Sequence, residues 1–163
     1  MRIEKSKRID APIQKAWSIL GHDFANPHKW ASPVNHSQPE GFEENQMRCN
    51  ERSCTTEMGN IRERLIAYSD DDHSLKLEVT EGLPFFMKTI TNRFNLIASS
   101  GEQTDVHIEL EMIPKGLMGF LMVPLMKYKM SKMWDDILDD FAYYVEYDRP
   151  HPRKVQKMEK FLK

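Results

Sequence analysis

The chain changes its hydrophobic period twice. Residues 2–10 alternate weakly between polar and apolar and suit an edge strand. Asp10-Ala11-Pro12 then has the form of a helix start, with a capping carboxylate and a proline in the first turn. Ile13, Ala16, Trp17 and Leu20 share one face of the helix that follows, and Gly21 stops it. A second short helix is predicted over Asp23–Trp30, with Asn26-Pro27 as a weak point inside it. From residue 34 the period is two. Strands are predicted at 34–39, 46–55, 60–69, 74–80, 88–98 and 104–113. Turn signals separate them, among them Pro39-Glu40-Gly41, Met58-Gly59-Asn60, Asp70-Asp71-Asp72 and Ser99-Ser100-Gly101. Connections this short pair neighbouring strands antiparallel.

Beyond Pro114 the period is helical again. Met126, Met130, Met133, Ile137, Phe141 and Val145 trace one stripe at spacings of three and four. Pro124 fits the first turn of a long helix better than its interior, because it lacks an N–H to donate. The long helix is therefore predicted to begin there, with Lys115–Val123 as a separate short turn or helix given backbone freedom by Gly116 and Gly119. The tail, Arg149–Lys163, carries six basic residues and one acidic residue and suits a short amphipathic helix around Val155, Met158 and Leu162. One antiparallel sheet of about seven strands with a long helix across it is a two-layer α+β domain. We place it at 1–148, with 149–163 as a basic C-terminal tail.

Composition narrows the function classes. A net charge of −2 supplies no field that would draw nucleic acid, so no nucleic-acid partner is expected. The alternating, charged opening MRIEKSKRID is unlike a secretory signal. The longest uncharged apolar stretch, Gly116–Met126, has 11 residues, short of the roughly 20 that span a bilayer. Cys49 and Cys54 fall on opposite faces of one predicted strand, which argues against a disulfide and for a cytoplasmic location. The histidines are scattered without metal-ligand spacing and no glycine-rich phosphate loop occurs, so no cofactor is expected. A homo-oligomer is left open.

The element order resembles the helix-grip fold of START-like (SRPBCC) proteins, which include polyketide cyclases and birch-pollen-allergen-like proteins. Three stretches carry the resemblance: Ala11-Pro12-Ile13 with Trp17, Gly59-Asn60-Ile61-Arg62-Glu63-Arg64-Leu65, and Lys115-Gly116 followed by Pro124-Leu125-Met126-Lys127. The resemblance implies a curved sheet gripping the C-terminal helix, with a hydrophobic cavity between them. It implies no shared catalytic motif.

Alternation then selects the polar groups that would face such a cavity. In 60–68 the more apolar parity is Ile61, Glu63, Leu65 and Ala67, which puts the Glu63 carboxylate among hydrophobic groups, where it must be paired, hydrogen-bonded or protonated. START-like receptors use a glutamate in a similar Glu-Arg-Leu setting to reach a ligand through the pocket wall. Family members also often carry an arginine where Arg48 falls, so the resemblance favours the Arg48, Asn50 and Arg52 side of its strand as pocket-facing. Arg48 opposite Glu63 would satisfy both charges; a solvated strand face with cross-strand ion pairs is the competing reading. Asn92 is the one polar member of the set Ile90, Asn92, Phe94 and Leu96.

Met112 to Met133 holds six of the chain's 11 methionines, including Met118, Met122, Met126 and Met130 at four-residue spacing. Unbranched methionine fills irregular core space, and it also makes an adaptable wall around an apolar guest. In the second case Met122 and Met126 flank the mouth of the cavity and Met130 lies deeper. Asp135, Asp136, Asp139 and Asp140 fall between apolar positions and are expected to be solvated. The expected ligand-binding set is Trp30, Arg48, Asn50, Glu63, Leu65, Asn92, Phe94, Met122, Met126 and Met130. The expected ligand is a small hydrophobic molecule such as a lipid, isoprenoid or aromatic metabolite. The alternative is an enzyme of polyketide cyclase/dehydrase type in which Glu63 acts as acid and base.

Overall fold

The structure, a computed structural model, describes residues 1–42 and 49–162. Its strands are β1 (Arg2–Ile9), β2 (Val34–Phe42), β3 (Cys49–Thr56), β4 (Gly59–Ser69), β5 (Ser74–Glu81), β6 (Met87–Ser100) and β7 (Gln103–Pro114). They form one antiparallel sheet in the order β1-β7-β6-β5-β4-β3-β2. Every strand that alternation predicts is present, and β1 lies on an edge as expected. It pairs with β7 from Arg2 opposite Glu111 to Ile9 opposite Thr104, and the Met1 ammonium donates to the Met112 carbonyl at 2.7 Å. The alternation of β7 shows why it folds this way. Thr104, Val106, Ile108, Leu110 and Met112 are all buried, while His107 and Glu111 are exposed.

Helix α1 (Ile13–Trp17) continues as a wider π-type turn through Ser18–His22. Pro12 occupies the N-cap and no side chain caps the helix. Asp10, expected to do so, instead accepts from Gln103 Nε2 at 2.8 Å, while its backbone N–H donates to Glu146. Gly21 is required by a close approach: a Cβ there would stand 2.4 Å from the Trp17 indole. The second predicted helix is only a 3-10 turn, Pro27–Lys29, because Asn26-Pro27 interrupts the segment.

The long helix α2 runs without interruption from Gly116 to Tyr147, with Pro124 inside it. The expectation of a separate piece ending at Val123 is therefore wrong. Pro124 costs one backbone hydrogen bond, and the carbonyl it leaves free lies on an exposed stretch where water can satisfy it. Nor is Gly119 a flexible joint. It is buried, and a Cβ on it would lie 2.6 Å from the Phe86 carbonyl, so its bareness admits the β5–β6 loop. Helix α3 (Pro152–Phe161) follows, with His151 as its N-cap.

The core lies between the sheet and α2, closed at one side by the α1–β2 segment. Trp17, Trp30, Phe94, Trp134 and Phe141 are its largest members. Of the four aspartates of α2 expected to be solvated, Asp135 is exposed and Asp136 and Asp139 are half-exposed, each in an ion pair, whereas Asp140 departs from that role. Asp135 pairs with Lys5 at 2.7 Å, Asp139 with Lys7, and Asp136 and Asp140 with Arg153 of α3. Asp140 is fully buried and also accepts from the Ser32 N–H at 2.8 Å. The return of α3 over α2 is what covers Asp140, which the pattern along α2 alone could not reveal.

Candidate ligand-binding site

β3 and β4 form a hairpin in which Thr56 faces Gly59, so Arg52 stands opposite Glu63. Both side chains point inward. Arg52 Nε donates to Glu63 Oε2 at 2.7 Å, and Glu63 is buried. The same guanidinium donates to the Phe24 carbonyl and lies over the Phe24 ring, 5.4 Å from its centroid. A buried carboxylate is tolerable only with such a partner. Cys54, on the same strand, brings Sγ to 4.0 Å from Glu63 Oε2. Burial pushes its thiol up to about 12, so it stays protonated and is no nucleophile at neutral pH. Cys49 and Cys54 are both free and buried.

A cavity of about 20 Å³ lies beside the Arg52 guanidinium. The α1–β2 segment contributes Ile19, Leu20, Asp23, Phe24 and Trp30 to its wall, and the sheet contributes Leu75, Leu77 and Phe94. That is room for about one water molecule. Of the expected ligand-binding residues, Trp30 and Phe94 line it. Glu63 stands behind Arg52. Leu65 and Asn50 are half-buried, and Met130 is buried. Met122 and Met126 are half-exposed on α2, away from this cavity. Arg48, proposed as the partner of Glu63, lies outside the described residues. Alternation also fails at one point in β4, where the register shifts between Leu65 and Ala67. Ala67 is exposed and Tyr68 packs toward the core against Trp17, at 5.3 Å between ring centroids.

Among the described residues, two buried polar atoms near Phe94 have no hydrogen-bond partner: Asn92 Oδ1 and Trp134 Nε1. Asn92 shares the inward face of β6 with Phe94, and the Trp134 ring lies 5.6 Å from the Phe94 ring in an edge-to-face arrangement. One group is an acceptor and the other a donor. Together they place unmet hydrogen-bonding capacity in an otherwise apolar layer between sheet and helix. Trp134 is not among the expected site residues, since an apolar position in α2 gives no sign that its N–H would go unpaired. Among the described residues no cluster of His, Cys, Asp or Glu could hold a metal ion.

A family profile described as polyketide cyclase / dehydrase and lipid transport matches residues 1–146. Among solved structures, the chain is similar to a protein from Nitrosospira multiformis, with a TM-score of 0.71 and 16% identity, covering 91% of this chain and 98% of that one. It is also similar to a START superfamily protein from Mycobacterium smegmatis (TM-score 0.68, 15% identity, 85% of this chain and 94% of that one). A truncated norcoclaurine synthase from Thalictrum flavum gives a TM-score of 0.67 at 11% identity, over 90% of this chain and 94% of that one. At these identities the likeness is one of fold, the START-like helix grip. No curated protein matches the sequence.

Proposed function

The chain belongs to the polyketide cyclase / dehydrase and lipid transport family, and from that premise we propose that it binds a small hydrophobic molecule between the sheet and α2. The observation that carries this reading is a pair of buried atoms unpartnered among the described residues, Asn92 Oδ1 and Trp134 Nε1, on either side of Phe94, which itself lines the cavity. A buried polar group without a partner costs about 1–3 kcal/mol, so two of them in one layer argue for a guest that supplies what they lack. The guest has an apolar body and one polar end able to donate to Asn92 and accept from Trp134, as a hydroxyl can. A lipid, isoprenoid or aromatic metabolite would fit.

A drug-sized guest needs on the order of 300 Å³ or more, so the cavity must widen for binding. The half-exposed Met122 and Met126, with Met130 below them, are soft side chains that can repack as α2 moves. Glu63 is engaged by Arg52 and does not line the cavity. That geometry weighs against Glu63 as a free general base and so supports binding over catalysis.

Native mass spectrometry of the purified protein, together with titration by the fluorescent probe anilinonaphthalene sulfonate, tests the proposal. The expected result is a co-purifying hydrophobic molecule or saturable probe binding. Asn92→Leu and Trp134→Phe should each weaken probe binding roughly tenfold while stability holds or rises, since each removes an unmet polar group. Unchanged binding in both variants would refute the site.

A further inference from the structure

Within α2, Leu117, Phe120, Leu121, Pro124, Leu125 and Tyr128 recur at helical spacings of three and four and all are exposed, Leu117 at 78% and Phe120 at 67%. They form a continuous apolar stripe that turns away from the core. Phe85 of the β5–β6 loop, 80% exposed, belongs to the same end of the molecule. That loop is fixed to the helix start, because Lys115 N–H donates to the Phe86 carbonyl at 2.8 Å and Gly119 packs beneath it. A stable globular surface rarely leaves so many large apolar side chains together in water.

The charges around this surface have one sign. Residues 82–88 and 113–134 contain five lysines, Lys88, Lys115, Lys127, Lys129 and Lys132, and no carboxylate, in a chain whose net charge is −2. None of the five forms an ion pair among the described residues, whereas Lys5, Lys7, Lys15 and Lys29 all do. An apolar helical stripe flanked by unpaired lysines matches the boundary of an anionic bilayer, where the apolar side chains enter between headgroups and the ammonium ends stay with phosphate. A symmetric dimer through the same stripe would set five lysines against five. No helix among the described residues is long and apolar enough to cross a membrane.

We propose that the N-terminal half of α2, with the Phe85 loop, docks the protein on the surface of an anionic lipid bilayer. The inference stands apart from the interior ligand site, since none of its residues lines that cavity. Each lysine near an anionic surface contributes several-fold to the partition.

Vesicle co-flotation tests it, comparing phosphatidylcholine alone with phosphatidylcholine containing about 30 mol % phosphatidylglycerol. The expected result is at least about tenfold stronger partition onto the anionic vesicles, weakened by salt. Phe120→Asp with Leu121→Asp should abolish binding, and Lys127→Glu with Lys129→Glu should reduce it at least about tenfold. All four positions are exposed, so melting temperatures should hold, and Ile97→Asp, exposed near the far end of β6, should bind normally. No partition onto anionic vesicles, equal partition onto neutral ones, or normal binding by the apolar double variant would each overturn the proposal. So would self-association that Leu121→Asp removes while wild type ignores vesicles, which would assign the stripe to a second copy of the chain.

Discussion

The two halves of α2 are equally rich in hydrophobic residues and unlike in everything else. From Met130 onward Met130, Trp134, Ile137, Leu138, Phe141, Ala142 and Val145 are buried, and the aspartates between them pair with β1 and α3. Before Met130 only Gly119 is buried; Met126 packs partly against the core, while Leu117, Phe120, Leu121, Leu125 and Tyr128 face outward. The C-terminal half is a core element with an amphipathic pattern. The N-terminal half is apolar on both sides, so one side remains in contact with solvent however the helix packs. Hydrophobicity along the chain therefore does not report burial; the pattern of polar residues between the apolar ones does.

The largest effect should separate the halves by the same substitution. Phe141 is buried with its ring 5.1 Å from that of Trp30, whereas Phe120 is mostly exposed. Phe141→Ala is expected to cost about 3–5 kcal/mol in urea unfolding, and Phe120→Ala less than about 0.5 kcal/mol. Similar losses at both positions would erase the distinction.

Charges sharpen it next. Asp140→Ala leaves the Ser32 N–H without its acceptor and Arg153 without one of its carboxylates. A cost of about 3 kcal/mol is expected, at the low end for a buried pair because Arg153 is partly exposed and keeps Asp136. Lys129→Ala, removing a charge from the other half, should stay within about 0.5 kcal/mol. Denaturant midpoints measured on both variants check this, and a neutral Asp140→Ala would return that aspartate to a solvated role.

Much of this was legible in the sequence. The strands were, most plainly β5 and β7, where buried positions alternate with more exposed ones, and so were the core stripe through Val145 and the inward placement of Glu63. The partner of Glu63 was legible in principle. A turn at Met58-Gly59-Asn60 sets a register that puts Arg52 across from it, whereas the family resemblance points to Arg48. The bulge after Leu65 was not legible, since its cause lies in how β4 curves against β5. Nor was the burial of Asp140, which depends on α3 returning over α2, or the small size, about 20 Å³, of the cavity at Phe94. The methionine series shows the limit well: Met118 is exposed, Met122 and Met126 half-exposed and Met130 buried, one spacing with three environments.

Pro124 offers a gentler probe of the same contrast. Inside a helix it withholds the N–H that the Phe120 carbonyl would accept. Pro124→Ala should therefore stabilise the protein by about 2 kcal/mol. A melting temperature that falls would mean that the proline makes a contact the helix depends on.

The smallest effect concerns the strap that covers the C-terminal half. Lys154 of α3 is fully buried, and its ammonium donates to the Val34 carbonyl. Burial lowers its pKa to about 8, and Lys157 adds to that, while Asp140 opposes it. His28 is close enough for Lys154 to help push the imidazole down, though burial is the larger cause there. An unfolded lysine holds its proton to about pH 10.4. Between about pH 8 and 10 the unfolded chain thus binds a proton that the folded chain has released, and stability from this group rises with pH. Below pH 8 both states are protonated and the contribution is flat. In Lys154→Met the rise disappears. The difference in unfolding free energy, wild type minus variant, should then grow by about 1 kcal/mol from pH 7.5 to about 9. Parallel curves over that range would show that the lysine keeps its proton, and that the cover over the acidic half of α2 is looser than the geometry describes.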